Sequence, residues 1–307
     1  MYKIIFVKLI KVLYLIPKRN KKGIYMDFQM LQTFQVLARC CSFSQTANEL
    51  YITQSAVTKR IAELENELGR KLFNRNKRSV KLTGYGIVFL GYADRILELG
   101  RASIKEMDNI ICYNNYLRIG APNSIYECHL SCKVSKYIQN SENAINIRIG
   151  HSADLLRALQ DDILDLAFTF MPFNRNGYEC DIFKKDKLVL ATGYSNTEFA
   201  NGILKEELVK TRYLMCNFAL NGVGEFIKNL FPGHFQFQFE IDNSTSLMQY
   251  LESGTGYSFI PEKMAEKKCI ENRLRIIPLL DIEMPEIISY YTGKTESRQM
   301  WQEFLNF

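Results

Sequence analysis

Residues 42–83 read SFSQTANELYITQSAVTKRIAELENELGRKLFNRNKRSVKLT, and this stretch decides the fold. Ser42 followed three residues later by Gln45 fits a capping box, which predicts a helix starting at Phe43. Thr53 can cap a second helix in the same way. In that second helix Val57, Ile61, Leu64 and Leu68 recur at spacings of four, three and four, one face at 3.6 residues per turn. Ser55, Thr58, Lys59 and Ala62 fall on the other face, and Gln54, Ser55, Thr58 and Lys59 crowd the amino-terminal end, with Arg60 next to them. A helix with one apolar stripe and one short-chained, polar, basic stripe can pack on its own domain and lie in a DNA major groove at once. An amphipathic helix with a solvated face is the plain alternative.

Gly69 ends this helix. Of the twelve residues Arg70 to Lys81, six are basic: Arg70, Lys71, Arg75, Lys77, Arg78 and Lys81. Asn76 to Ser79 reads as a hairpin tip anchored by Leu72, Phe73, Val80 and Leu82. A basic hairpin beside such a helix suits DNA phosphates and the minor groove, so Arg75, Lys77 and Arg78 join the candidate contacts. A solvated charged loop is the competing reading.

From about Met26 the chain resembles LysR-type transcriptional regulators. The resemblance is carried, in order and spacing, by Leu31-Gln32-Thr33-Phe34, Ser42-Phe43, Thr46-Ala47-Asn48-Glu49-Leu50, Gln54-Ser55-Ala56-Val57-Thr58, Ile61-Ala62-Glu63-Leu64-Glu65, Leu68-Gly69, Leu72-Phe73-Asn74-Arg75 and Leu82-Thr83. Thr46 stands where the family usually has alanine, and Thr58 where it usually has serine. The resemblance implies a winged helix-turn-helix over 26–83, a dimerisation linker helix over 84–112 and an effector-binding domain over 116–307. It also implies double-stranded DNA with dyad symmetry as a partner, a small-molecule effector, a homodimer or homotetramer, and RNA polymerase at the promoter.

Composition agrees with this division. The 307 residues are long enough for two or three domains, and 47% apolar content indicates true cores. Net charge is +6, but residues 1–25 hold seven basic and no acidic residues, residues 26–115 twelve and nine, and residues 116–307 twenty and twenty-four. The positive charge therefore lies where a polyanion would bind. Ile4 to Ile16 is apolar but interrupted by Lys8 and Lys11, and is too short to span a bilayer; no cleavage site follows it. The expectation is that Met26 is the true start, residues 1–25 being a start-site artefact, and that the protein is cytoplasmic with no stable membrane association.

After Thr83 a helical pattern runs for nearly thirty residues. Leu90, Ala93, Leu97, Gly100, Ile104, Met107 and Ile111 form a heptad seam with a weak position at Gly100. Such a helix needs a partner, most simply the same helix of another subunit, with packing inside the chain as the alternative. Strands are then predicted at Tyr116–Gly120, Ala144–Ile149, Asp165–Phe170, Lys187–Thr192, Tyr213–Cys216, Phe235–Ile241, Tyr257–Ile260, Leu274–Pro278 and Ile287–Thr292. Alternation with helices indicates open α/β sheets, an α/β fold class overall, and such sheets bind ligands at strand carboxyl ends. The resemblance implies two α/β subdomains of the type 2 periplasmic-binding-protein kind, about 116–185 with 284–307, and 186–283. Carried over by position, the cleft between them receives Asn123, Ser124, Ser152, Phe170, Asn217, Asn243, Ser244 and Thr245. Ser124 and Ser244 stand at helix starts, where free N–H groups suit a small organic anion or serve as plain caps. Phe170 stands where relatives place an arginine, which points to an aromatic or neutral contact.

Catalytic signals are poor. His129, His151 and His234 pair with no serine or cysteine in a nucleophile motif. Gly222-Val223-Gly224 begins a dinucleotide fingerprint that Ile227 interrupts. Eight cysteines show no zinc spacing, and reduced thiols are expected. Cys128 and Cys132, one turn apart around His129, read as packing residues rather than a metal or redox pair. No catalytic residue, metal or cofactor is expected. A solute-binding receptor and an enzyme fused to a DNA-binding domain are the alternatives; the first would need an export signal, the second a convergent acid/base or metal constellation.

Overall fold

A computed structural model describes residues 25–76, 79–113, 115–216 and 223–307. Contacts divide the chain into two compact units, with the boundary between Arg101 and Ala102. In the first, α1 (Phe28–Cys40), α2 (Phe43–Glu49) and α3 (Gln54–Leu68) precede a hairpin of β1 (Phe73–Asn76) and β2 (Ser79–Leu82), then the 29-residue α4 (Gly84–Cys112). Both N-caps form, Ser42 Oγ accepting from Gln45 N and Thr53 Oγ1 from Ala56 N at 3.2 Å, but the reciprocal Gln45 side-chain bond of the expected capping box is not among the hydrogen bonds of the described residues. Gly69 closes α3 at φ +61°, a left-handed conformation that costs a side chain-bearing residue energy. Val57, Ile61 and Leu64 are fully buried against Leu31, Phe34 and Leu37 of α1.

The seam expected on α4 is corrected in its first half. Ala93 and Leu97 are 0% and 3% exposed, and they join Leu90 in the hydrophobic core of their own chain. Ala93 and Leu97 are thus covered within their own chain, while Leu90 is half-buried. Gly100, the weak seam position, is a packing device: a Cβ there would collide with the Phe28 ring of α1. Ile104 and Met107 are exposed, as is a separate stripe of Tyr85, Val88 and Tyr92. The side chain of Ile111 lies outside the described residues.

The second unit is built on a seven-stranded sheet. Its strands are β3 (Asn115–Ala121), β4 (Asn143–Ile149), β5 (Leu166–Thr169), β6 (Tyr178–Gly193), β9 (Tyr257–Pro261), β10 (Leu274–Ile277) and β11 (Glu286–Lys294), in the order β10-β6-β11-β5-β3-β4 with β9 also on β6. β7 (Met215–Cys216) and β8 (Glu240–Ile241) form a small parallel pair. The helices are α5 (Asn123–Ile125), continued through a π turn at Tyr126–Leu130 into α6 (Ser131–Tyr137), then α7 (Ser152–Gln160), α8 (Val223–Lys228), α9 (Ser244–Glu252), α10 (Glu262–Ile270) and α11 (Arg298–Asn306).

β6 carries the chain from one part of the sheet to the other. Tyr178 to Lys187 pair with β11, and Leu188 to Thr192 pair with β9. The sequence predicted only the second half, because YECDIFKKD lacks an apolar run. The strand expected at Phe235–Ile241 shrinks to two residues. Phe235 and Phe237 instead stack with Phe231 at ring distances of 4.9 and 5.1 Å, so side-chain packing holds this segment without a ladder. One core lies around Leu117, Phe168 and Trp301, another around Tyr213, Phe231 and Phe259, and Phe170 packs against both.

A buried ion pair ties β3 to the start of β5. Arg118 Nε and Nη2 donate to the two Asp165 carboxylate oxygens at 3.0 and 2.7 Å, and Arg118 N donates at 2.9 Å. Arg118→Met removes only the guanidinium and leaves the carboxylate short of charge compensation. The expected cost is about 3–5 kcal/mol, read as a lower denaturation midpoint of this unit; an unchanged midpoint would contradict the assignment.

Candidate nucleic-acid interface and ligand cleft

The opening turns of α3 present Gln54, Ser55, Thr58 and Lys59 to solvent, while Val57 on the opposite face is buried. Thr58 Oγ1 donates back to Gln54 O at 3.0 Å, and Lys59 lies 3.9 Å from Glu63 at an exposed i,i+4 spacing. The four side chains expected to read bases thus share one accessible face at a helix amino terminus. Arg60 departs from that expectation. Its Nη2 donates to Gln29 Oε1 at 2.6 Å and its Nη1 to Thr33 Oγ1 at 3.4 Å, which ties it to α1. Arg75 is likewise anchored, donating to Glu65 at 3.2 Å with its guanidinium 5.0 Å from the Phe43 ring centre. Lys77 and Arg78 lie outside the described residues.

Glu65 is the residue that sequence reasoning missed here. Its side chain is 1% exposed and accepts from Leu72 N at 2.9 Å, Phe73 N at 3.2 Å, Lys71 Nζ at 2.9 Å and Arg75 Nη2. One carboxylate therefore fixes the start of the hairpin and two of its cations. Burial pushes its pKa up, but the hydrogen bonds from Lys71, Leu72 and Phe73 and the Arg75 charge outweigh it and hold the group below the ordinary carboxylate value. The available signal was an acidic residue at the apolar end of α3, just before a basic stretch.

In the second unit the expected cleft residues converge. Asn123 on α5 donates its amide to Thr245 Oγ1 on α9, linking the two helices. Ser124 and Ser244 beside them are 2% and 1% exposed, and their hydroxyls have no hydrogen-bond partner among the described residues. Ser152 Oγ accepts from Phe170 N at 3.1 Å, so it holds Phe170 rather than standing free. Asn243 is spent as the cap of α9, accepting from Ser246 N at 3.0 Å. At the rim His151 Nε2 sits 3.6 Å from Asp242, a contact the sequence did not suggest. Asn217 lies outside the described residues, as does Gly222.

Behind Ser124, a small cavity holds Cys128, His129, Phe170, Asp186 and Ser289. Burial first, then the Asp186 and Glu127 charges, push the Cys128 thiol up to about 12, which argues against a reactive thiolate. Burial also holds His129 below its usual value, against the pull of Asp186. Among the described residues no cluster of three or more metal-binding side chains occurs, and no helix is long and apolar enough to cross a membrane.

Comparison with known proteins identifies this architecture. Residues 28–87 match the bacterial regulatory helix-turn-helix protein, lysR family, and residues 114–307 match the LysR substrate binding domain. The transcriptional regulator CitR of Bacillus subtilis is 24% identical over 288 residues, covering 92% of this chain and 98% of CitR. HdfR of Escherichia fergusonii is 35% identical over 148 residues, 47% of this chain and 53% of HdfR, so that match spans about half of either protein. In fold, the chain resembles CbnR, a LysR family transcriptional regulator, at TM-score 0.67 and 17% identity over 92% of this chain and 98% of CbnR. CbnR in complex with its target DNA gives TM-score 0.64 at 18% identity and the same coverage. The chain belongs to the LysR family: it is a LysR-type helix-turn-helix transcriptional regulator with a substrate-binding domain.

Proposed function

We propose that this regulator reads a dyad-symmetric operator with Gln54, Ser55, Thr58 and Lys59, holds flanking phosphates with Lys77 and Arg78 on the hairpin that the Arg75–Glu65 pair positions, and is switched by a small molecule bound around Asn123, Ser124, Ser244 and Thr245. The observation carrying the switch is the pair of buried hydroxyls on Ser124 and Ser244 that have no partner among the described residues, beside a hydrogen bond that links their helices. A buried polar group without a partner costs about 1–3 kcal/mol, and a ligand that satisfies both recovers it. Phe170, whose backbone N–H the Ser152 hydroxyl holds, supplies an apolar wall. Asn217 completes the set by position.

A ligand that favours one relative setting of the two subdomains shifts DNA affinity through rigid-body coupling, for which about 1–3 kcal/mol suffices. The protein acts as a homodimer or homotetramer in the cytoplasm, with RNA polymerase as a promoter partner and no catalytic step. Tyr85, Val88 and Tyr92, with Ile104 and Met107, supply the apolar surface for subunit contact. The test is a footprint of the regulator's own promoter region with and without candidate metabolites. Ser244→Ala should blunt the ligand-dependent change and spare ligand-free binding; an unaltered response would remove the effector from this cleft.

Base reading has its own test. Ser55→Trp puts a bulky ring on the exposed face of α3 and leaves the buried face untouched. Each good base contact contributes about 1–3 kcal/mol, so specific affinity should fall at least tenfold while thermal stability holds. Wild-type operator affinity in this variant would move the reading surface elsewhere.

A further inference from the structure

We propose that the small molecule of the cleft carries a protonated primary amine, whose ammonium head sits between Ser124 and Asp186 in the cavity behind the cleft; the inference rests on the cleft being the effector site. The cavity measures about 10 Å³, about the volume that one water-sized group needs, and an ammonium head is of that size. It lies where β6 changes partners. Asp186 is paired with Ile287 of β11, and from Leu188 the strand runs along β9.

The cavity wall carries one carboxylate and no cation to match it. The Asp186 side chain is 16% exposed. Its Oδ1 accepts from Lys187 N at 2.7 Å. Its Oδ2 has no hydrogen bond among the described residues, and its ion-pair contact there is His129 Nε2 at 4.0 Å. Burial holds the His129 imidazole below its ordinary value, so at neutral pH it faces the carboxylate uncharged. The Cys128 thiol, pushed up to about 12, is uncharged as well. Lys263 of α10, whose charge also reaches Asp186, is exposed and pairs with Glu266 at 2.6 Å. Lys184 and Glu127 are exposed to solvent. A largely buried carboxylate is costly unless a cation meets it. Ser124 Oγ lines the same cavity, buried and without a partner among the described residues.

The acceptors select the kind of cation. A primary ammonium group has three N–H donors and no acceptor. Asp186 Oδ2, Ser124 Oγ and the free nitrogen of a neutral His129 are three acceptors, whereas Ser289 Oγ already donates to Lys184 O at 3.1 Å. A water molecule satisfies polar atoms but leaves the charge uncompensated. A guanidinium or quaternary amine is too wide for the cavity. Hydrogen bonds from a cation to a carboxylate are short and about twice as strong as neutral ones. The apolar body of the ligand then lies against Phe170, which lines the cavity beside Ser124. An ammonium held there ties the π turn to β6 at the point where that strand passes from one part of the sheet to the other.

The experiment titrates the full chain by calorimetry, at fixed ionic strength, with butylammonium. Butan-1-ol is the uncharged analogue, butyrate the anion and potassium the bare cation. Butylammonium should bind saturably, with the other three about tenfold weaker or more. Asp186→Asn keeps the shape and the acceptor for Lys187 N, so it should weaken butylammonium by about tenfold or more at an unchanged melting temperature. Ser124→Ala should weaken it by a smaller factor. Equal binding of the alcohol, butyrate or potassium, unchanged affinity in Asp186→Asn, or no saturable heat (a cavity that holds water only) overturns the proposal. A metabolite-dependent footprint that Ser244→Ala removes and Asp186→Asn leaves intact would overturn the ammonium subsite while sparing the cleft as effector site. Butylammonium binding that needs Asp186 but never alters the footprint would support the subsite and count against the switch.

Discussion

Leu97→Asp should unfold the amino-terminal unit rather than merely separate subunits. Leu97 is 3% exposed and packs with Phe34, Ala93 and Leu31 in one core. The substitution removes a buried aliphatic side chain, which costs about 2–5 kcal/mol on truncation, and buries a carboxylate with no partner, which adds to it. Whole domains are stable by about 5–15 kcal/mol, so much of the unit's stability would be lost. The measurement is a thermal melt with limited proteolysis of the full chain: residues up to Arg101 should become protease-sensitive while the second unit stays protected. Tyr92→Asp is the contrasting variant. Tyr92 is 55% exposed, so its replacement should leave the melt nearly unchanged and weaken self-association in sedimentation or light scattering. If Leu97→Asp gave a folded monomer, the buried packing of α4 would be wrong.

Glu65→Leu should release the basic hairpin. The change keeps an apolar body in the core but removes the acceptor for the buried N–H groups of Leu72 and Phe73, each worth about 1–3 kcal/mol when left unsatisfied. Arg75 and Lys71 lose the carboxylate that orients them. Expected results are a lower melting temperature and weaker DNA binding to operator and unrelated sequences alike, because a phosphate-contacting element has lost its position. Glu65→Gln, which keeps one acceptor oxygen, should be intermediate. The pH dependence has a definite sign. The folded-state pKa of Glu65 lies below its ordinary value of 4.5, so its stabilisation is complete above that value and is lost as pH falls through the lowered one. Acid unfolding of Glu65→Leu should therefore lack this component. Equal acid sensitivity in wild type and variant would rule out the carboxylate as the anchor.

Both predictions turn on side chains whose partners are distant in sequence. The helix-turn-helix itself was legible because its determinants are local. Ser42 and Thr53 cap helices three residues away, Gly69 takes a left-handed turn, and the Val57, Ile61, Leu64 spacing defines a face. The strands of the second unit were legible where apolar residues run together, as in Leu166 to Phe168, and missed where burial comes from aromatic stacking or from partners on both sides, as in Phe235 to Phe237 and the first half of β6.

What the sequence determined by itself, then, was the order of elements, the exposed polar face of α3 and the concentration of positive charge in the first third of the chain. Periodicity, however, states only that residues share a face, not what covers it. Leu90, Ala93 and Leu97 obey the heptad rule equally well whether the covering helix belongs to another subunit or to α1 of the same chain, and tertiary packing decided for the second. Arg60 and Arg75 have the same charge as free phosphate-binding arginines, yet Gln29 and Glu65 engage them. Asn123 and Thr245 are 122 residues apart, and nothing local links them. Pairings of that kind follow from chain topology, since the strands that cross the second unit bring α5 and α9 together only when the whole sheet has formed.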